Sequence, residues 1–96
     1  MYRILTEQRK AAKRLGVTIR PSTLKNKKLD VYKNGFKVAS IGDKRYKDYW
    51  VYKKLERQGK IPKGTADERR ELYLIRHAEN CMTKGTPGYY ACKILW

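Results

Sequence analysis

The side chains that could carry nucleophilic, acid-base or metal chemistry are few: one histidine, His77, and two cysteines, Cys81 and Cys92. His77 has no serine or cysteine at a catalytic spacing, and the chain has neither a glycine-rich phosphate loop nor a paired-carboxylate signature. No cluster of carboxylates or cysteines stands beside it to complete a metal site. His77 therefore reads as a structural side chain on a helix, and the chain as a protein without catalytic, cofactor or metal residues. Two cysteines eleven positions apart make neither a disulfide framework nor a zinc set. Two ordinary, half-buried thiols are expected, with a structural pairing as the alternative.

What remains is charge. Lys and Arg number 24 against 9 Asp and Glu, a formal net charge of +15. Like charges repel in a compact fold, so this surplus implies a negative partner: phosphates, anionic lipid or acidic protein. The most suggestive run is Lys44-Arg45-Tyr46-Lys47-Asp48-Tyr49-Trp50-Val51-Tyr52-Lys53-Lys54, where cations could neutralise phosphates and aromatic faces could stack on bases. At helical spacing Tyr49, Trp50 and Tyr52 are better explained as core, with the lysines forming a solvated rim open to a partner. A second basic group is formed by Arg9, Lys10, Lys13 and Arg14 together with Lys25, Lys27 and Lys28. Such contacts supply affinity without reading sequence, and no helix-turn-helix or RNA-recognition signature accompanies them. Nucleic acid and acidic protein would suit this surface equally. Residues 1–66 carry 19 of the 24 basic side chains and 5 of the 9 acidic ones, which places the partner on the amino-terminal two thirds.

Positioning these groups falls to short elements. Thr6 can cap a first helix through Leu15, with Gly16 as the residue that ends it. Val17-Thr18-Ile19 reads as extended, because β-branched residues favour strand and Arg20 precedes Pro21. A hairpin over 28–41 is marked by Leu29 and Val31, then Val38 and Ser40, around Asn34-Gly35, a pair suited to positive φ at both turn positions. Helical spacing returns over 48–58 and again over 66–82. There Thr65-Ala66-Asp67-Glu68 has the form of a capping box, and Leu72, Ile75 and Met82, bordered by Ala78 and Glu79, form an apolar stripe. Thr86-Pro87 can open a last helix over 89–96, for which a strand is the competing assignment.

At 96 residues the chain suits one domain, and it buries only roughly 60–65% of the surface its unfolded form exposes. The expected class is α+β: a β-hairpin packed against three or four short helices, with residues 1–27 as a basic helix and loop and 28–96 as the core. No run approaches the roughly 18 apolar residues of a membrane span, and Met1-Tyr2-Arg3-Ile4-Leu5-Thr6-Glu7 has no signal-peptide hydrophobic region. A reducing compartment is expected.

Five strings carry a resemblance: Lys27-Lys28-Leu29-Asp30-Val31-Tyr32-Lys33-Asn34-Gly35, Ala39-Ser40-Ile41-Gly42-Asp43, Tyr46-Lys47-Asp48-Tyr49, Arg69-Arg70-Glu71-Leu72-Tyr73-Leu74-Ile75-Arg76-His77 and Gly88-Tyr89-Tyr90-Ala91-Cys92-Lys93-Ile94-Leu95-Trp96. Together they resemble a family of small basic proteins encoded by large double-stranded DNA viruses of algae and protists, over nearly the whole chain. The resemblance implies a virion component assembled in the host cytoplasm: a minor capsid protein beneath the major shell, in contact with other capsid proteins, or a DNA-associated basic protein inside the particle. It brings no catalytic residues. It implies instead a structural nexus of Tyr46, Tyr49, Arg76, His77 and Trp96, with Asp48 as partner to Arg76. Trp50 and the Tyr89–Trp96 segment are the expected protein-contact residues.

Overall fold

Local signals build most of the elements in the computed structural model, which describes residues 2–96. They are α1 (Thr6–Arg14), β1 (Thr18–Pro21), β2 (Lys27–Lys33), β3 (Phe36–Asp43), α2 (Tyr49–Arg57), α3 (Thr65–Arg76), α4 (Ala78–Met82) and α5 (Pro87–Ile94). The class is α+β, a three-stranded antiparallel sheet in the order β1-β2-β3 with five helices. Asn34 and Gly35 turn β2 into β3 with φ of 53° and 83°, as the Asn-Gly pair predicts. Asp48 caps α2 by accepting from the Val51 amide at 3.0 Å, and Thr86 caps α5 by accepting from Tyr89, with Pro87 behind it. Residues 89–94 are thus helix rather than strand.

Three local expectations are corrected. The residue before α1 is Leu5, and Thr6 is the first helical position; the end is closed instead by Gln8, whose side-chain oxygen accepts from the Leu5 amide at 2.9 Å. The capping box at Thr65 does not form. Gly64, with φ of 93°, is the residue before α3, and Thr65 donates its hydroxyl to the Pro62 carbonyl. The free amides of Gly64 and Ala66 are taken at 2.8 and 2.9 Å by the carboxylate of Glu56 on α2. These bonds hold the Glu56 carboxyl below its usual range. Finally, 66–82 is not one helix but two, because the backbone at His77 leaves helical geometry, with φ of −116° and ψ of 28°.

The core lies between the sheet and the two terminal helices. Leu29, Val31, Ala39 and Ile41 on β2 and β3 meet Ile19 from β1, Ala12 from α1, Tyr90 and Ile94 from α5, and Leu95 just after it. Each such aliphatic side chain contributes roughly 1.5–3 kcal/mol when fully buried. Two segments expected outside the core, α1 and β1, are part of it, so the core does not begin at residue 28. In β3 the inward residues are Ala39 and Ile41, not Val38 and Ser40. The register shifts between Val31 and Tyr32, so that Val31 faces Ala39 while Tyr32 faces Lys37, and Val38 is the extra residue of a bulge.

The α2–α3 pair is fastened to this body through α5. The Tyr49 amide donates to the Leu95 carbonyl at 3.2 Å, and the Trp50 indole donates to the Ile94 carbonyl at 3.0 Å. α3 rests on α2, where Tyr49 donates to Asp67 at 3.0 Å. Among the described residues no element covers the outer side of α3 and α4, and most of the expected apolar stripe lies there: Ile75 is 67% and Met82 81% exposed, while Leu72 is 38% exposed. Periodicity identified a stripe but not its burial, since α3 meets α2 through Ala66, Asp67 and Arg70 instead. No helix among the described residues is long and apolar enough to cross a membrane.

α4 and α5 are joined covalently. Cys81 and Cys92 form a disulfide across a Cα separation of 5.4 Å, which corrects the expectation of two thiols. Periodicity could not show this, because the pairing depends on α5 folding back along α4. Disulfides persist in oxidising surroundings, so the cysteines no longer speak for a reducing compartment.

Candidate anion-binding cleft and the buried pair beneath it

Four segments distant in sequence converge on one cleft of about 560 Å³. The end of β3 and the following loop bring Gly42, Asp43, Tyr46 and Lys47; α2 brings Tyr52; α3 brings Arg69, Tyr73 and Arg76, with His77 just after it; the carboxyl-terminal segment brings Leu95 and Trp96. Gly42 allows the first of these to close on the last. Its φ is +77°, and a Cβ there would stand 2.8 Å from Leu95 Cδ1 and 3.0 Å from Lys28 Cδ, so only glycine fits.

The back wall is aromatic. Trp96 stacks on Tyr73 at 4.4 Å with planes 7° apart, and His77 stacks on Tyr73 at 4.3 Å. Two rings at such distances cannot share a face, so Tyr73 is sandwiched between them. Trp96 therefore fills a place in its own domain, and half-burial pushes the Tyr73 hydroxyl pKa up. Tyr90, Ile94 and Leu95 lie in the core and Tyr89 and Trp96 are half-buried against it, so the Tyr89–Trp96 segment packs within its own domain.

Beneath the cleft lies a buried ion pair. Lys28 Nζ meets Asp48 Oδ2 at 2.9 Å, with side-chain exposures of 5% and 2%. The same oxygen accepts from the Tyr2 hydroxyl at 2.8 Å, and that hydroxyl in turn accepts from the Gln8 amide at 2.8 Å. Asp48 Oδ1 holds the α2 cap. Burial, with the Asp48 charge beside it, pushes the Tyr2 pKa far above its ordinary value. Two expectations are corrected here. Asp48 pairs with Lys28, not Arg76, because β2 passes under the start of α2. Lys28 is buried and engaged, so it is not available to an outside partner.

At the rim Arg45 donates to Asp43 through Nε and Nη2, the latter at 2.7 Å, and holds the Asp43 carboxyl down to about 2. Both carboxylates of the wall are thereby engaged. Lys47, Arg69 and Arg76, all exposed, have no carboxylate within ion-pair distance among the described residues. Arg69 stands over the Tyr52 ring at 5.9 Å. The cleft thus offers free positive charge over aromatic and apolar walls.

The other predicted partner-binding residues lie elsewhere. Arg9, Lys10, Lys13 and Arg14 are exposed on α1, Lys25 and Lys27 before and at the start of β2, and Lys44 and Arg45 on the loop beside the cleft. Tyr49 is buried, Trp50 and Tyr89 half-buried, and none of the three lines the cleft. Sequence reasoning missed Tyr2, Gln8, Tyr52, Arg69 and Tyr73 as parts of this region. Arg69, Tyr73 and Arg76, at spacings of four and three, form a stripe on one helical face that could have been found. Nothing near Tyr2 signals its bond to Asp48, 46 residues away, or the bond it accepts from Gln8.

No protein-family profile, curated protein or solved structure matches the chain.

Proposed function

We propose that this chain is a structural component of a virus particle, a minor capsid protein beneath the shell of a large double-stranded DNA virus, held among acidic protein neighbours. The viral setting is supported by the five strings that resemble such proteins. The mode of attachment is supported by one observation: cations stand in solvent on nearly every element, and large apolar side chains stand there too, among them two groups on different elements. Phe36, 75% exposed, lies beside the hairpin turn, and Ile75 and Met82 lie on α3 and α4. Aromatic residues, Met and Arg are the types enriched in protein interfaces, and a chain surrounded by protein covers both places at once. In purified particles, cross-links from the lysines of this chain should fall mainly on capsid protein, and the chain should stay with the shell after nuclease digestion. Release together with the genome would overturn this reading.

The same cations favour a second reading, sequence-independent DNA binding. Affinity for random duplex would then fall about tenfold or more between roughly 50 and 200 mM salt, even for two phosphate contacts. Gln at Lys10, Lys13 and Lys27 would weaken it additively, while a salt-independent affinity would exclude this reading. Lys28 is left out of the set because it is buried against Asp48.

A further inference from the structure

We infer that the cleft between the β3–α2 loop, α3 and Trp96 binds single-stranded nucleic acid, taking one unpaired nucleotide with its phosphate on Arg69, Arg76 and Lys47 and its base against Tyr46. The inference does not depend on the capsid reading, which concerns the rest of the surface.

Charge comes first. Asp48 is neutralised by Lys28 and Asp43 by Arg45, at 2.9 and 2.7 Å, so the wall presents cations without competing anions. Three such cations around one cleft repel one another until an anion enters, and guanidinium groups suit phosphate because their planar donors match its oxygens. Size and lining come next. About 560 Å³ lies within the roughly 300–1,000 Å³ of small-ligand pockets, and the walls hold rings as well as charge. An acidic protein side chain would use the cations and leave the rings idle; a nucleotide uses both.

Tyr46 is the ring open to a base. It is 69% exposed, and it has no aromatic partner among the described residues. Arg45 stands over the ring at 5.9 Å. Tyr73, by contrast, has both faces covered. A base in duplex is already stacked and paired, so only an unpaired one can enter a cleft and lie on such a ring.

The test compares a labelled oligothymidylate of about ten nucleotides with duplex of the same length, by fluorescence anisotropy at one fixed salt concentration. Tyr46→Ala should weaken single-strand binding roughly tenfold and duplex binding less than about twofold. Arg76→Gln should follow the same pattern, and Lys10→Gln, on distant α1, should affect both forms alike. All three side chains are exposed, so the variants should fold, and circular dichroism checks that they do. Equal losses for single strand and duplex in Tyr46→Ala would overturn the inference. So would polyglutamate of matched charge displacing the oligonucleotide from the wild type and from Tyr46→Ala with equal ease, since that outcome makes the cleft a site for acidic protein.

Discussion

Replacing Asp48 by Ala should lower the unfolding free energy by about 3–5 kcal/mol, measured as a drop in the urea midpoint. The loss is large because one side chain holds three partners. It neutralises Lys28, accepts from Tyr2 and caps α2 at Val51. The cap alone is worth about 1 kcal/mol, and the rest comes from leaving an ammonium group without an anion where it is only 4% exposed. Asp48→Asn separates the two contributions, since its amide oxygen can still cap the helix while the charge is lost. Replacing the pair together, Lys28→Met with Asp48→Asn, should recover much of the loss, because a buried ion pair exchanged for apolar volume is often close to neutral. A loss under about 1 kcal/mol for Asp48→Ala would mean that Lys28 reaches solvent by a small shift of β2, and would remove the pair from the account of the fold.

Breaking the Cys81–Cys92 bond should have the next largest effect. Closing a loop of 11 residues restricts the unfolded chain by about 3 kcal/mol in the entropic treatment. For a domain of this size that corresponds to a fall in Tm of about 10–20 °C, read from thermal scans with and without reductant or from the double variant Cys81→Ser, Cys92→Ser. The effect should be uneven along the chain. α4 has no buried residue, and its hold on the domain runs through α5: the disulfide and the close approach of Gly88 to Asn80, where a Cβ would stand 2.9 Å from the Asn80 side chain. Amide exchange should therefore speed up first in 78–82 after reduction, while β2 keeps its protection. An unchanged Tm would show that packing along α5 is sufficient and that the bond adds little.

Two readings of the cysteines and of α3 show why pattern alone fell short. Spacing of eleven fits no framework, so the pairing of Cys81 with Cys92 rests on how the turn at 83–86 lays α5 against α4. Leu72, Ile75 and Met82 have helical spacing, yet a stripe is core only if another element covers it, and α2 takes the other side. The aromatic run at 46–52 divides in the same way. Tyr49 enters the interior, Trp50 and Tyr52 are half-buried, and Tyr46, three residues earlier on a loop, remains in solvent.

By itself the sequence determined what depends on neighbours a few residues away. Asn34-Gly35 set the hairpin, Thr86-Pro87 the start of α5 and Gly16 the end of α1, because φ preferences and side-chain caps act within one turn of the chain. It also determined the excess of positive charge, which no folding can change. Tertiary structure alone decided which charges are free. Lys28 looks like its neighbours Lys25 and Lys27 in sequence, but strand alternation turns it toward the start of α2, where Asp48 neutralises it. Arg69 and Arg76 share one face of α3, but Lys47, more than twenty residues earlier, joins them in one cationic cleft only because Gly42 lets β3 close on Leu95 and so brings its loop to α3 and Trp96. Such pairings are set by which distant segments meet in the packed core, and no pattern confined to a local stretch of sequence encodes them.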